Sequence, residues 1–123
     1  MHLKGNESNR IAHIISFILV VSYGPAVLAY DPVDCVNEVV KVDSEIPVGL
    51  VTRLCSGAWT AEPVKCYLAA SKIDAGIVRG IAIELCAGTL SARNTLECYV
   101  KAGTTLKLNR GLATTLCSAR KIE

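Results

Sequence analysis

The chain has 123 residues, enough for one domain, with a formal net charge of +2 and only 5% aromatic residues. Its two histidines, His2 and His13, lie near the N-terminus, ahead of all six cysteines. Residues 30–123 therefore contain no histidine. This excludes histidine-based acid–base catalysis and histidine metal ligands from that part of the chain.

Residues 1–29 have the order of regions typical of a secretory signal peptide. Lys4 and Arg10 lie in a polar start, residues 11–22 form an apolar run, and Ala29 precedes the expected cleavage site. The apolar run is shorter than the roughly 20 residues that span a bilayer. We predict cleavage after Ala29, a secreted or periplasmic/extracytoplasmic location, and no stable membrane insertion after signal cleavage. An uncleaved signal anchor is the alternative.

Residues 30–123 are predicted to form a single domain that depends on disulfide bonds. All the cysteines lie in it: Cys35, Cys55, Cys66, Cys86, Cys98 and Cys117. An even number of cysteines in an exported chain indicates disulfide pairing. Because the domain has neither a CxxC pair nor a histidine, we predict no metal site and no cofactor.

A spacing of 31 residues recurs through this domain. It relates two sets of cysteines, namely Cys35, Cys66 and, one position late, Cys98, and then Cys55, Cys86 and Cys117. Gly49, Gly80 and Gly111 have the same spacing, which we interpret as close helix crossings, with a ligand-contacting backbone as the alternative. Such a period indicates stacked supersecondary units, here with the three ranges 32–62, 63–93 and 94–123.

Each unit is predicted to form a hairpin of two short helices. The second helix is the clearer one, since Ile46, Leu50, Val51 and Leu54 fall on one helical face and apolar residues recur at the matching positions of the next two units. Two stretches, 39–42 and 81–83, have strand composition as well, and a strand is the alternative there.

Residues at the predicted helix ends have capping chemistry. The first helices are expected to start near Asp31, Glu62 and Asn94, the last with Glu97 at capping-box spacing. Expected caps of the second helices are Ser44, Asp74 and Thr104 or Thr105. Gly57 and Gly88 follow two of these helices and are expected to end them.

In an antiparallel hairpin the start of one helix lies beside the end of the other. The spacing therefore favours pairing within each unit: Cys35–Cys55, Cys66–Cys86 and Cys98–Cys117. The rival pairing joins neighbouring units through Cys55–Cys66 and Cys86–Cys98 and leaves Cys35 and Cys117 to pair with each other.

The predicted fold class is all-α, with three tandem disulfide-stapled α-hairpin repeats of about 31 residues in a small solenoid-like array. In general architecture only, the pattern resembles stacked helical-hairpin repeats of the solenoid type. The paired-cysteine motifs of saposins and plant lipid-transfer proteins are absent from the sequence.

Three aromatic residues are candidates for a binding surface. Tyr67 and Tyr99 each follow a cysteine, and we expect them to pack beside the disulfides or between units, with an exposed recognition surface as the alternative. Trp59 aligns with Leu90 and is expected first to fill an inter-unit junction and second to anchor a partner.

Charge and residue chemistry exclude several function classes. The three units carry net charges of −3, +2 and +3, which we interpret as ordinary solubilising charge, with steering of an acidic partner, an anionic surface or a head-to-tail neighbour as the alternative. Few aromatic residues accompany the basic ones, so nucleic-acid binding is not expected. With no histidine and no free thiol expected, we predict no enzyme. The prediction is an exported, non-catalytic protein-interaction module with an unknown protein partner; the alternative is a small lipid or hydrophobic-ligand carrier.

Overall fold

A computed structural model describes residues 29–119, so residues 1–28 of the predicted signal peptide lie outside the described residues. This part of the chain forms six helices and no strand. The helices are α1 (Pro32–Val42), α2 (Val48–Cys55), α3 (Glu62–Ile73), α4 (Arg79–Cys86), α5 (Ala92–Thr105) and α6 (Arg110–Cys117). The all-helical prediction is confirmed, and the strand alternative for 39–42 and 81–83 is wrong.

The first helix begins where its capping residues indicated. The Asp31 carboxylate accepts hydrogen bonds from the backbone N–H groups of Val33 at 2.8 Å and Asp34 at 3.0 Å. In return, the Asp34 carboxylate accepts from the Asp31 N–H at 3.0 Å. This reciprocal capping box satisfies donors that a helix N-terminus leaves unpaired, and Pro32 lacks the N–H that would otherwise need a partner.

The fifth helix begins earlier than expected. Ser91 is its cap, because the Ser91 hydroxyl accepts from the Asn94 N–H at 3.2 Å. Asn94 therefore lies in the first turn, and its predicted capping box with Glu97 is wrong. Glu97 instead accepts a hydrogen bond from Arg93 Nε at 2.9 Å along the same helix.

The second helix of each hairpin begins later than predicted, at Val48, Arg79 and Arg110. Ser44 is not a cap, and Asp74 ends α3 and does not begin α4. Thr104 and Thr105 are also wrong as caps, because they form the last turn of α5. The cap of α6 is Asn109, whose side chain accepts from the Leu112 N–H at 2.9 Å.

The two glycines expected to end helices have the left-handed backbone that this role requires. Gly57 has φ 71° and Gly88 has φ 76°, so both predictions are confirmed. The close crossings expected at Gly49, Gly80 and Gly111 are wrong. A Cβ atom placed on Gly49 or Gly80 would meet nothing within 4 Å, and at Gly111 the nearest atom is Asn109 Oδ1 at 3.5 Å.

Helix contacts occur within each hairpin and between hairpins that follow one another. Each hairpin pairs two consecutive helices, as α1 with α2, α3 with α4 and α5 with α6. In addition, α3 contacts α1 and α5, while α4 contacts α2 and α6. Among these six helices, those of the first and third hairpins have no Cα atoms within 8 Å of each other.

Three disulfides cross the hairpins: Cys35–Cys55, Cys66–Cys86 and Cys98–Cys117, with Cα–Cα distances of 5.6, 5.4 and 5.7 Å. These are the pairs that the spacing favoured. The first two are buried in the core and the third is partly exposed. Around them pack the largest fully buried apolar side chains, Val39, Val51, Leu54, Ile83 and Leu85. No helix between residues 29 and 119 combines the length and apolar character that crossing a membrane requires.

Removal of the central disulfide should destabilise the protein more than removal of the third. The two bonds have sequence separations of 20 and 19, so loss of either should cost about 3 kcal/mol in loop entropy. The Cys66→Ala/Cys86→Ala variant should lose a further ~1 kcal/mol or more, because both sulfurs are fully buried and leave a cavity. Denaturant unfolding of both double variants measures the difference, and a larger loss in Cys98→Ala/Cys117→Ala would contradict it.

Alanine should have opposite effects at two glycines. Gly80→Ala should stabilise the protein by about 0.4–1 kcal/mol, because the helical position has room for a methyl group. Gly57→Ala should destabilise it by about 1–2 kcal/mol, because its φ of 71° is costly for a residue with a Cβ atom. Thermal or denaturant unfolding tests both, and a destabilised Gly80→Ala would show an unrecognised contact.

Candidate functional site

An aspartate, a tyrosine and an arginine meet where the first hairpin contacts the second. Asp43 ends α1, Tyr67 lies in α3 and Arg79 is the first residue of α4. The Tyr67 hydroxyl donates to Asp43 Oδ2 at 2.7 Å. Arg79 donates from Nε to Oδ2 at 3.0 Å and from Nη2 to Oδ1 at 2.8 Å. We call this set the first Asp–Tyr–Arg cluster.

The second Asp–Tyr–Arg cluster has the same geometry where the second hairpin contacts the third. It consists of Asp74, which ends α3, Tyr99 in α5 and Arg110 at the start of α6. The Tyr99 hydroxyl donates to Asp74 Oδ2 at 2.6 Å. Arg110 donates from Nε to Oδ2 at 2.8 Å and from Nη2 to Oδ1 at 2.9 Å. Such two-point pairing of arginine with a carboxylate fixes orientation as well as distance.

Both clusters hold their charged groups in the ionised state. Hydrogen bonds from Arg110 and then Tyr99 keep the pKa of Asp74 well below its usual range. The bonds from Tyr67 and then Arg79 lower the pKa of Asp43. Burial, together with the bond to Asp74, raises the pKa of Tyr99 to about 12. None of these shifts brings a pKa toward neutral pH, where an acid–base catalyst needs it. The bonds instead connect each aspartate to two residues of the next hairpin.

The three aromatic residues singled out in the sequence do not share one surface. Tyr99 is 6% exposed and Tyr67 is half-buried, and their hydroxyls are bound to the aspartates of the two clusters. They lie between hairpins. Trp59, in contrast, is 69% exposed in the loop between α2 and α3. The expectation that Trp59 fills a junction is wrong, because the small residue Ala58 beside it is buried instead.

Leu90 occupies the matching place in the loop between α4 and α5 and is 83% exposed. The residue before it, Thr89, is buried, and the hydroxyls of Thr89 and Thr95 are 2.7 Å apart. The Thr89 N–H also donates to the Cys86 carbonyl at 3.1 Å, as Ala58 N–H does to the Cys55 carbonyl at 3.0 Å. Each loop is thus anchored to the end of a disulfide-bonded helix and presents one large apolar side chain to solvent.

The pairing of these aspartates with arginine and tyrosine was not predicted from the sequence, which indicated Asp74 only as a helix cap. A signal was present, because Asp43 and Asp74 are 31 residues apart, as are Arg79 and Arg110. Charged residues are mostly exposed to solvent, so a regular spacing alone does not indicate that they bind each other. Within residues 29–119, no group of three or more His, Cys, Asp or Glu side chains could hold a metal ion.

Replacement of Asp74 by asparagine should destabilise the protein by about 1–2 kcal/mol at neutral pH, since Arg110 and Tyr99 lose a charged acceptor. The pKa of Asp74 is lowered in the folded state. Its stabilising effect is therefore complete above the unfolded pKa of about 3.9 and is lost as the pH falls through the folded pKa. Denaturant unfolding across pH should show the difference between wild type and Asp74→Asn shrinking below about pH 4.

A matched control is the exposed pair of Arg53 and Glu84, which are 2.9 Å apart with side chains about half exposed. Glu84→Gln should change the free energy of unfolding by less than about 1 kcal/mol, because exposed ion pairs contribute little. An equal loss in Glu84→Gln and Asp74→Asn would contradict a special role for the second Asp–Tyr–Arg cluster.

Comparisons of the chain with protein-family models, with curated proteins and with solved structures find no match. Two features of the described residues bear on its function: the Asp–Tyr–Arg clusters between hairpins and the apolar side chains that are exposed.

Proposed function

We propose that the protein is an exported, non-catalytic protein-interaction module. In this proposal residues 1–29 are a cleaved signal peptide, and residues 30–123 form three helical-hairpin repeats, 32–62, 63–93 and 94–123, stacked as a small solenoid-like array. Its partner is another protein, and no cofactor takes part.

The stacking is supported by the contacts between hairpins. The first helices touch in chain order, α1 with α3 and α3 with α5, and so do the second helices. The two Asp–Tyr–Arg clusters use the same three residue types at both junctions. Repeat proteins in which each unit contacts only its neighbours have this pattern, and they commonly bind protein along their length.

Export is supported by the disulfides. Three disulfides in a domain of this size suggest an oxidising environment outside the cell. The signal-like order of residues 1–29 agrees with this location.

The observation that carries an interaction role is the exposure of Trp59 and Leu90 at matching places of two loops. Tryptophan is enriched among the residues that dominate binding energy at protein interfaces. The loop that carries Trp59 is anchored to the end of α2 by the hydrogen bond from the Ala58 N–H to the Cys55 carbonyl at 3.0 Å. A rigid support reduces the entropy that association costs.

The carrier alternative has less support. The space between the helices holds the disulfides and fully buried side chains such as Leu54, Ile83 and Leu85. A bound lipid would have to displace these side chains, and interiors packed in this way lose several kcal/mol when large residues are moved or removed.

The test is a capture experiment from the extracellular fluid of the source, with the oxidised protein immobilised. A protein retained by the wild type should be lost, or retained at least about tenfold less, with Trp59→Ser/Leu90→Ser. The matched control is Val78→Ser, which replaces another exposed apolar residue outside both loops and should retain the partner. A reduced sample shows whether capture needs the folded protein.

Two outcomes would contradict the proposal. Capture that is equal for the wild type, the double variant and the reduced sample would show binding unrelated to the folded surface. Native mass spectrometry that finds a lipid bound in fixed ratio to the protein as isolated would favour the carrier.

A further inference from the structure

Two positions that are buried in the second hairpin, on helices that contact the first hairpin, are exposed at the matching places of the first hairpin. Val64 is 3% exposed and Ile83 is fully buried. Their counterparts 31 residues earlier are Val33, which is 65% exposed, and Thr52, which is also exposed. Beside them Val48 is 81% exposed. We call Val33, Val36, Val48 and Thr52 the N-terminal end surface. Three of them line a groove of about 390 Å³.

The third hairpin shows the opposite difference. Leu54 and Leu85 are fully buried, whereas Leu116, at the matching position, is 57% exposed. Leu112 is 54% exposed and Leu106 is 58% exposed. We call Leu106, Leu112 and Leu116 the C-terminal end surface. A groove of about 350 Å³ beside it is lined by Leu106, Leu116 and Lys101, among others.

At the two ends of the stack, apolar residues lie at or beside the positions that match the Asp–Tyr–Arg cluster residues of the internal junctions. The N-terminal end surface has Val36 and Val48 at the positions that hold Tyr67 and Arg79 in the next hairpin. The C-terminal end surface has Leu106 beside the position that matches Asp74. Terminal repeats that face only water need polar outer faces for solubility. Large exposed apolar side chains at both ends therefore indicate surfaces that become covered.

Charge distinguishes between the possible pairings of these ends. The first hairpin, residues 32–55, carries a net charge of −2. The described part of the third hairpin has one acid, Glu97, against Arg93, Lys101, Lys107 and Arg110. Two first hairpins or two third hairpins would repel each other, whereas a first and a third attract. The complementary charges thus favour contact between opposite ends of two molecules.

We propose that the C-terminal end surface of one copy docks on the N-terminal end surface of a second copy, so that the stack of hairpins continues from molecule to molecule. This inference rests on the stacked arrangement in the proposed function and names a second copy of the chain as one partner. A contact between two different surfaces does not close on itself in a dimer, so the association should continue to longer chains unless it closes into a ring.

The experiment uses the oxidised chain as recovered from an exporting host, in sedimentation velocity over a wide concentration range at low salt. The wild type should form species larger than a dimer. Val33→Glu blocks the N-terminal end surface and Leu116→Glu blocks the C-terminal one, and each variant alone should remain monomeric. Their equal mixture should form a dimer and stop there, because each variant contributes one intact end. Added salt should weaken the association, since the attraction of opposite ends is screened.

Val78→Glu is the matched control, because it places the same charge on an exposed valine outside both end surfaces and both loops; it should associate like the wild type. A monomeric wild type would overturn the inference. A dimer that persists in Val33→Glu would show symmetric pairing of C-terminal ends and overturn it as well. So would a mixture that stays monomeric.

Failure here can be separated from failure of the proposed function. A monomeric wild type that still captures a partner through Trp59 overturns only the head-to-tail contact. Loss of Trp59-dependent capture, with association intact, overturns only the role given to the loops.

Discussion

The disulfide inside each hairpin is the constraint on which the other contacts depend. The second helix of each hairpin has only eight residues, and helices of that length are not stable by themselves in water. Its last residue is a cysteine bound to the N-terminal half of the preceding helix. The disulfide holds the two helices of a hairpin together even where no neighbouring hairpin covers their apolar side chains. It also places each aspartate that ends a first helix within reach of the next hairpin.

The junctions then combine apolar burial with one polar contact that fixes geometry. Ile83 and Leu85 are fully buried on the same helix, α4, which contacts both α2 and α6. Apolar contact alone is non-directional and would tolerate sliding of one hairpin against another. The two-point bond between Arg79 and Asp43, with the Tyr67 hydroxyl on the same carboxylate, allows a single register. The clusters therefore specify how hairpins meet, while burial supplies most of the free energy.

Periodicity was enough to predict the helices and to favour the disulfide pairs, because both follow from the spacing of apolar residues and cysteines. Helix starts were harder to predict, because a side chain that is able to cap a helix can form its hydrogen bonds with a different residue instead. Asp74 is the clearest case: it binds Arg110 and Tyr99 of the next hairpin and does not cap α4. The exposure of Trp59 was unexpected for a related reason, since the loop buries Ala58 and leaves the larger neighbour outside. Such choices depend on contacts between distant residues, which local sequence does not specify.

The difference in exposure between matched positions separates structural residues from residues available for binding. Leu85 and Leu116 have the same residue type and the same place in their helices, yet one is fully buried and the other is 57% exposed. Within the described residues a following hairpin contacts the helix of Leu85 and none contacts the helix of Leu116, so the difference does not come from the local sequence. Because burying a leucine side chain contributes about 1.5–3 kcal/mol, covering an exposed end would release free energy. The carboxylates of both clusters are already bound to arginine and tyrosine, so what the described residues leave for contact with another molecule is apolar surface, and this supports the proposed role in protein interaction.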